Sequence, residues 1–507
     1  MTVSFSRGAA AALAYFLASQ AAWADLTAQQ VWDEWRSYMV DVGYRVAGDE
    51  STSPGGLTVR DLVMSMDIPE EQSRIEIRLG SLGFAENGDG TVSVTLPDRF
   101  PIAFSGQPAD GESFAADLIY SQTDAALVVS GDADEMIYEF AAAEAGLELG
   151  EVTVDGATLP AEAARGQIRF TDLESHSVMK PGDMREVAQT MSAASLSYDI
   201  AFADPHAAEK ASFAGTLDGL EFEGAGRLPS GVDSGDIRDL LAAGAAFAGR
   251  FTYGSGEGRM TGSEDGSEFA FASRSQGGGL GFAMDAESLA YDVSGTGVDM
   301  NVQTSDLPFP LSMTMAEMAF KLEMPVARSE EEQPFSFLLK LADFAVPEEL
   351  WGLVDPGRAL PRDPATVLLD VSGRAKLSAD LFDPMIAEGL AGDQPPGELH
   401  ALTINELLVS AAGAKLSGLG EFTFDNTDLE SFDGMPAPSG LARLQLVGAN
   451  GLIDKLIGMG LMSEEDAMGA RMMMGMLTVP GDAPDTLNSE ITVTEEGHVL
   501  ANGQRLK

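Results

Sequence analysis

Asp61-Leu62-Val63-Met64-Ser65-Met66-Asp67-Ile68-Pro69 carries an apolar residue at every second place from 62 to 68 and closes on proline. Successive side chains of a strand point to opposite faces, so this spacing predicts a strand with one greasy side and one wet side. Ile75, Ile77 and Leu79 alternate next, followed by Leu82 and Phe84. Asn87-Gly88-Asp89-Gly90 is a strong hairpin turn, and Val92, Val94 and Leu96 lead back from it. Residues 61–96 therefore read as an antiparallel meander with one face in a core.

The same texture extends outward in both directions. Leu196, Tyr198, Ile200 and Phe202 alternate, as do Phe213, Leu217, Leu220 and Phe222 with slips at glycines. Met313 and Met315 precede Met318, Phe320, Leu322 and Met324. Leu402, Ile404, Leu407 and Val409 continue the theme late in the chain. Glycine, at 56 residues, falls between and inside these runs, which fits turns, bulges and curvature of a long sheet. Glu317-Met318-Ala319-Phe320-Lys321-Leu322-Glu323-Met324-Pro325 repeats the form of 61–69, and an acidic connector follows both. Alternating strands resemble one another by chance, so a duplication of two halves stays open.

Helices interrupt the strands. Thr27 and Gln30 form a capping box ahead of Val31, Trp35, Tyr38 and Val42, which share one face, with Trp32 and Met39 alongside. Ser234 is expected to cap a helix reaching 248, and 135–145 and 184–191 are weaker helical segments. A helical pair is expected at 452–459 and 464–477, the second opened by Ser463-Glu464-Glu465-Asp466. Its methionines, Met468, Met472, Met473, Met474 and Met476, read as core filler, with an adaptable apolar surface as the alternative. The expected fold is mainly β (α+β): a long, curved antiparallel sheet with a few packed helices. Three regions follow: 1–24, 25–230 with the first helix and sheet, and 231–507 with a second sheet and the helical pair.

Arg7 is the one charge in the first 24 residues; an apolar stretch and Ala22-Trp23-Ala24 come after it. A positive start, a short apolar core and a small-x-small site make a secretory signal. Cleavage would leave Asp25 first and place the protein in the periplasm, with no membrane-spanning segment after it. The chain has no cysteine, so disulfides, thiol catalysis and a lipid-bearing cysteine are excluded. Acids outnumber bases 80 to 30, a formal charge of −50 that repels phosphate backbones and excludes nucleic acid as a partner.

Catalytic patterns are missing from the sequence. The four histidines stand apart, and neither G-x-S-x-G nor a phosphate loop occurs. Gly254-Ser255-Gly256-Glu257-Gly258 is glycine-rich, but Phe251 and Tyr253 before it indicate a strand end. Asp132-Ala133-Asp134 and Gly278-Gly279-Leu280-Gly281-Phe282 begin like calcium loops and then depart from the pattern. The reading is of a non-enzymatic protein without cofactor or metal. A carboxylate-based hydrolase and a scaffold with a closed core are the alternatives.

Pro347-Glu348-Glu349-Leu350-Trp351-Gly352-Leu353-Val354-Asp355-Pro356-Gly357-Arg358-Ala359-Leu360-Pro361-Arg362-Asp363-Pro364, with the opening Leu26-Thr27-Ala28-Gln29-Gln30-Val31-Trp32, resembles the exported bacterial family known as domain of unknown function 2125. The tail, 491–504, resembles the strand-turn-strand ending of family 945, whose members are similar to AsmA-like periplasmic proteins linked to lipid handling. The resemblance implies export and a long sheet, and no catalytic residue. Asp355-Pro356 and Asp363-Pro364 read as rigid turns, with Trp351 plugging the core beneath them. Lipid or another apolar ligand is the expected partner. The candidate apolar face holds Met64, Met66, Met313, Met315, Phe320 and Leu322.

Overall fold

The computed structural model describes residues 26–68, 72–107, 113–204, 209–232, 237–264, 266–305, 307–383 and 397–507. The expected signal segment, 1–24, lies outside them. The chain is mainly β, with a long antiparallel sheet and, among the described residues, five helices. It divides into two compact units that interleave along the sequence: unit 1 takes residues up to 158, 171–191 and 227–235, and unit 2 takes 159–170, 192–226 and 236–507.

Unit 1 opens with α1 (Ala28–Asp41). Thr27 and Gln30 cap it reciprocally, side chain to backbone in both directions. Its strands are β1 (Arg45–Ser53), β2 (Gly56–Ile68), β3 (Ser73–Glu86), β4 (Val92–Thr95), β5 (Arg99–Gly106), β6 (Phe114–Thr123), β7 (Ala126–Gly131), β8 (Met136–Val154) and β9 (Ala157–Thr158). β1, β2 and β3 form a meander; β4 and β5 lie end to end against β3, β7 and β6 against those, and β8 closes both. The 87–90 hairpin turn forms as read, with Asn87 N–H donating to Thr91 O at 2.9 Å.

Val31 and Trp32 of α1 drop into a buried cluster with Leu57, Leu62, Leu82, Phe84 and Val129. The Trp32 and Trp35 rings stand 6.0 and 5.7 Å from Phe84. Behind α1, Arg185 is 2% exposed, and its Nε and Nη1 donate at 2.7 Å to Glu34 and Asp41 of the helix. Unit 1 is thus a sheet filled by its own helix.

β10 (Ala164–Lys180), β11 (Met184–Ala203) and β12 (Lys210–Pro229) contribute residues to both units. Unit 2 continues with α2 (Ile237–Ala242), β13 (Ala246–Glu264), β14 (Ser267–Ser275), β15 (Gly277–Met284), β16 (Ser288–Thr304), β17 (Leu311–Pro325), β18 (Gln333–Phe344), α3 (Glu348–Val354), β19 (Ala365–Leu377), β20 (Gly397–Ala411), β21 (Ala414–Asp425) and β22 (Ala437–Val447). It ends with α4 (Ala449–Gly458), α5 (Glu464–Leu477), β23 (Val479–Pro480), β24 (Thr486–Val493), β25 (Val499–Ala501) and β26 (Gln504–Arg505). β13 pairs with β14 and β15 in tandem; β16 pairs with both, and each strand to β22 pairs with the next before β24 follows.

Three helical expectations give way. Residues 136–145 and 184–191 are strand, within β8 and β11, and Glu135 lies just before β8. Met136, Tyr138 and Phe140 alternate against β7, and that pairing overrides an alanine-rich composition. The helix expected to reach 248 stops at Ala242; Gly244, at φ 98°, turns the chain into β13. Ser234, its expected cap, lies outside the described residues. The helical pair forms, its first member at 449–458 rather than 452–459 and its second at 464–477, and Ser463 Oγ accepts from Asp466 N at 3.1 Å.

Gly254-Ser255-Gly256 is not a strand end. β13 runs through it, and its alternation changes phase there: Tyr253 and Gly256 turn inward, while Gly254 and Ser255 between them are exposed. The same three-residue step occurs at Gly295 to Val298, Met315 to Met318 and Leu341 to Phe344, and pairing with Gly256 and Tyr253 sets Ser275 and Gly278 on that face across the break between β14 and β15. Pairing puts these steps side by side, Tyr253 with Gly278, Gly278 with Gly295, Gly295 with Met318 and Met318 with Leu341. Two contacts fix the flip. A Cβ on Gly256 would lie 3.1 Å from the Tyr253 ring, and one on Gly295 would lie 3.4 Å from Val298 Cγ2. Plain alternation would put residues three apart on opposite faces. Gly297 makes its corner at φ 53°, a left-handed conformation that glycine enters without a Cβ clash.

Candidate apolar face

The glycine line keeps one face of unit 2 apolar along its strands. On one side of it Met313 pairs with Met300, and Met315 with Val298. On the other, two rows cross the sheet: Leu280–Val293–Phe320–Leu339–Leu369–Leu407, and Phe282–Tyr291–Leu322–Phe337–Val371. Phe320 stands 6.2 Å from the Tyr291 ring and 5.6 Å from the Phe337 ring, edge on to both. The reverse face is mixed: Leu338, Leu368 and Leu408 lie on it beside polar pairs. Arg250 Nη2 meets Asp292 at 2.9 Å, Lys340 Nζ meets Glu317 at 2.6 Å, and Asn405 Nδ2 donates to Asp370 at 2.9 Å.

Four of the six candidate residues therefore come together. Strict alternation would separate Met313 and Met315 from Phe320 and Leu322, and the phase change between them returns all four to one face. Met64 and Met66 belong to unit 1. Met64, 8% exposed, is packed in the cluster under α1 and serves the core. Met66 sits half-buried near the end of β2.

The apolar face is incompletely covered. Leu280, Phe282 and Tyr291 remain 42%, 46% and 41% exposed. Across the glycine line an open trough of about 840 Å³ includes Tyr198, Ser273, Met300 and Met313 in its lining. Gly215 and Gly258 make room for the Tyr198 ring: a Cβ on Gly215 would stand 2.5 Å from Tyr198 Oη. Glu257 and Arg274 pair at 3.7 Å at the trough's border. Sequence reasoning missed Leu280, Phe282 and Tyr291 as surface residues, although the changing parity of apolar places at glycine carried the signal.

Glu76 is held below the usual carboxylate range by hydrogen bonds from Arg74 and Arg78, the wrong direction for a general acid at neutral pH. No group of three or more histidine, cysteine or carboxylate side chains is placed to hold a metal among the described residues. No helix among them is long and apolar enough to cross a membrane.

The 347–364 segment is organised by Asp355, 1% exposed. Its carboxylate accepts from Ala359 N at 2.9 Å, Leu360 N at 2.8 Å and Arg362 Nη1 at 2.7 Å. The Arg362 guanidinium lies 4.5 Å from the Trp351 ring centroid. Trp351 is thus a half-buried platform for a cation rather than a plug in the core. Burial alone would raise the Asp355 pKa, but the Leu360 and Arg362 hydrogen bonds, aided by Ala359, hold it at about 2. A depressed folded pKa gives stability that is complete above the unfolded value, about 4, and is lost as pH falls through the folded one. Trp351 emission should accordingly hold above pH about 4 and shift as pH falls toward about 2. In Asp355→Asn that acid step should vanish, with the segment already loosened at neutral pH; fluorescence in a background with the other tryptophans replaced by phenylalanine reads both.

Comparisons of the chain with family models, with curated proteins and with solved structures each give no match.

Proposed function

We propose that unit 2 binds a long apolar molecule, of the lipid acyl-chain class, along its apolar face, and that the protein does so without catalysis. Export to the periplasm, and kinship with the family that 347–364 resembles, are parts of the same proposal. The observation that supports it is the run of apolar rows from β15 to β20 whose side chains at Leu280, Phe282 and Tyr291 stay 41–46% exposed. A contiguous apolar surface open to water marks a surface that something covers in use.

Dimensions favour a chain. Six strands at about 4.8 Å spacing give a row of about 24 Å, longer than the roughly 15 Å an acyl chain fills in half a bilayer core, with the exposed side chains at its β15–β16 end and half-buried ones from β17 to β20. The −50 charge keeps the carrier itself off anionic membrane surfaces. In unit 1, α1 packs Val31 and Trp32 into the buried cluster.

Native mass spectrometry after gentle purification, with lipid extraction, tests the reading directly. Co-purifying acyl species are expected, and binding of a neutral fluorescent acyl ester should weaken in Phe282→Asp. Covering one phenylalanine contributes about 1.5–3 kcal/mol, so the loss should be about tenfold to a hundredfold. Unchanged binding in Phe282→Asp together with lipid-free protein would reject the proposal.

A further inference from the structure

α5 is built unlike a packed helix. Its one buried side chain is Ala467. Met468, Met472 and Met473 are each 63% exposed and Met476 is 55% exposed, so the core-filler reading of these residues does not hold. Met476 follows Met473 by three residues and Met472 by four, the two spacings that set helix side chains side by side with Cβ atoms about 5–6 Å apart. The three thioethers thus flank one patch of helix surface. Methionine has three rotatable bonds and a polarizable sulfur, so the sulfurs can converge on a small guest without backbone movement.

Acid lies on the same helix, about two turns before Met472. Glu464, Glu465 and Asp466 are exposed in the first turn. Arg471, the single basic residue of the helix, turns to α4, where its Nη2 meets Asp454 Oδ1 at 2.5 Å. The helix offers no histidine or cysteine, which disfavours zinc; thioethers are soft ligands and select copper(I) among the biological metals.

We propose that Met472, Met473 and Met476 form a thioether site for one soft monovalent cation of the copper(I) class. It is independent of the apolar face and of whatever that face carries. The sulfur atoms define the claim: leucine at the same places would keep the hydrocarbon and lose the ligand.

The test titrates the full chain with silver(I), a redox-inert probe, in chloride-free buffer, and with copper(I) delivered from a competing chelator. Methyl NMR of the methionines reads the site. Resonances of Met472, Met473 and Met476 should move together and saturate at one ion per chain. The triple replacement Met472→Leu, Met473→Leu, Met476→Leu should lower affinity by more than about a hundredfold, the upper end of what losing a mere supporting residue costs a metal site. Circular dichroism should stay unchanged. Undiminished silver(I) binding by the triple-leucine protein, or three stationary resonances in the parent, overturns the site and makes the stripe a hydrocarbon surface only.

Discussion

Arg185→Ala is expected to destabilise unit 1 by about 3–5 kcal/mol, the usual cost of removing one partner from a buried ionic cluster. The side chain is 2% exposed, and Glu34 and Asp41 beside it are only 11% and 12% exposed. Arg185 also donates to Ser37 Oγ at 3.3 Å, and its guanidinium stands 5.3 Å from the Tyr38 ring centroid. Without it two carboxylates face each other across a space closed to water. Alanine also leaves a void where a long aliphatic stem had packed. Denaturant melts followed by tryptophan emission should show the midpoint fall. The decisive companion is Arg185→Met with Glu34→Met and Asp41→Leu, which removes every charge and keeps volume. That triple variant should recover most of the loss, because well-packed apolar groups replace a buried ionic cluster at little or no cost. Failure to recover it would mean that shape, not charge, holds α1 in place.

Trp32→Ala should cost unit 1 a similar amount, about 3–5 kcal/mol, as lost burial plus the cavity left behind. Trp32 is buried among Leu57, Val59 and Phe84. Its Nε1–H donates to Glu50 Oε1 at 2.8 Å, the largest of the contacts that hold the Glu50 carboxyl below its ordinary pKa. The variant should therefore show two linked effects: a lower melting midpoint, and a Glu50 carboxyl titrating closer to an ordinary glutamate by NMR. Trp32→Phe should refill much of the volume and soften the first effect while leaving the second. Because Trp32 and Arg185 both anchor α1, the double variant should fall short of additive loss.

How far the sequence could be read depends on range. Strand alternation is local, and Leu62, Met64, Ile75, Ile77, Val92 and Val94 fell where the period of two put them. The capping box at Thr27 is equally local and formed, and at Ser463 the N-cap half of the expected box formed, with Asp466 N–H donating to Ser463 Oγ. Composition misled at 135–145, where alanines suit a helix and pairing with a neighbour decided for strand. Arg185 was illegible for a different reason: its partners lie 144 and 151 residues earlier, and nothing near it marks it as buried. The apolar face of unit 2 was half legible. Its members were visible strand by strand, but their union needs the coordinated step at Tyr253, Gly295, Met315 and Leu341, which emerges only when the strands are laid in register.

That shared step works as a notch cut at the same height in adjoining planks. A single strand that slid by one residue would bring its corner against a neighbour's straight backbone, and its oily side chains would swing out into water. Slippage is penalised twice, so the ladder has one assembly order even where its sequence is monotonous. An insertion or deletion in one of these strands should accordingly be tolerated at the hairpin ends and rejected near the notch. In a protein made of so many look-alike strands, the notch is a built-in ruler.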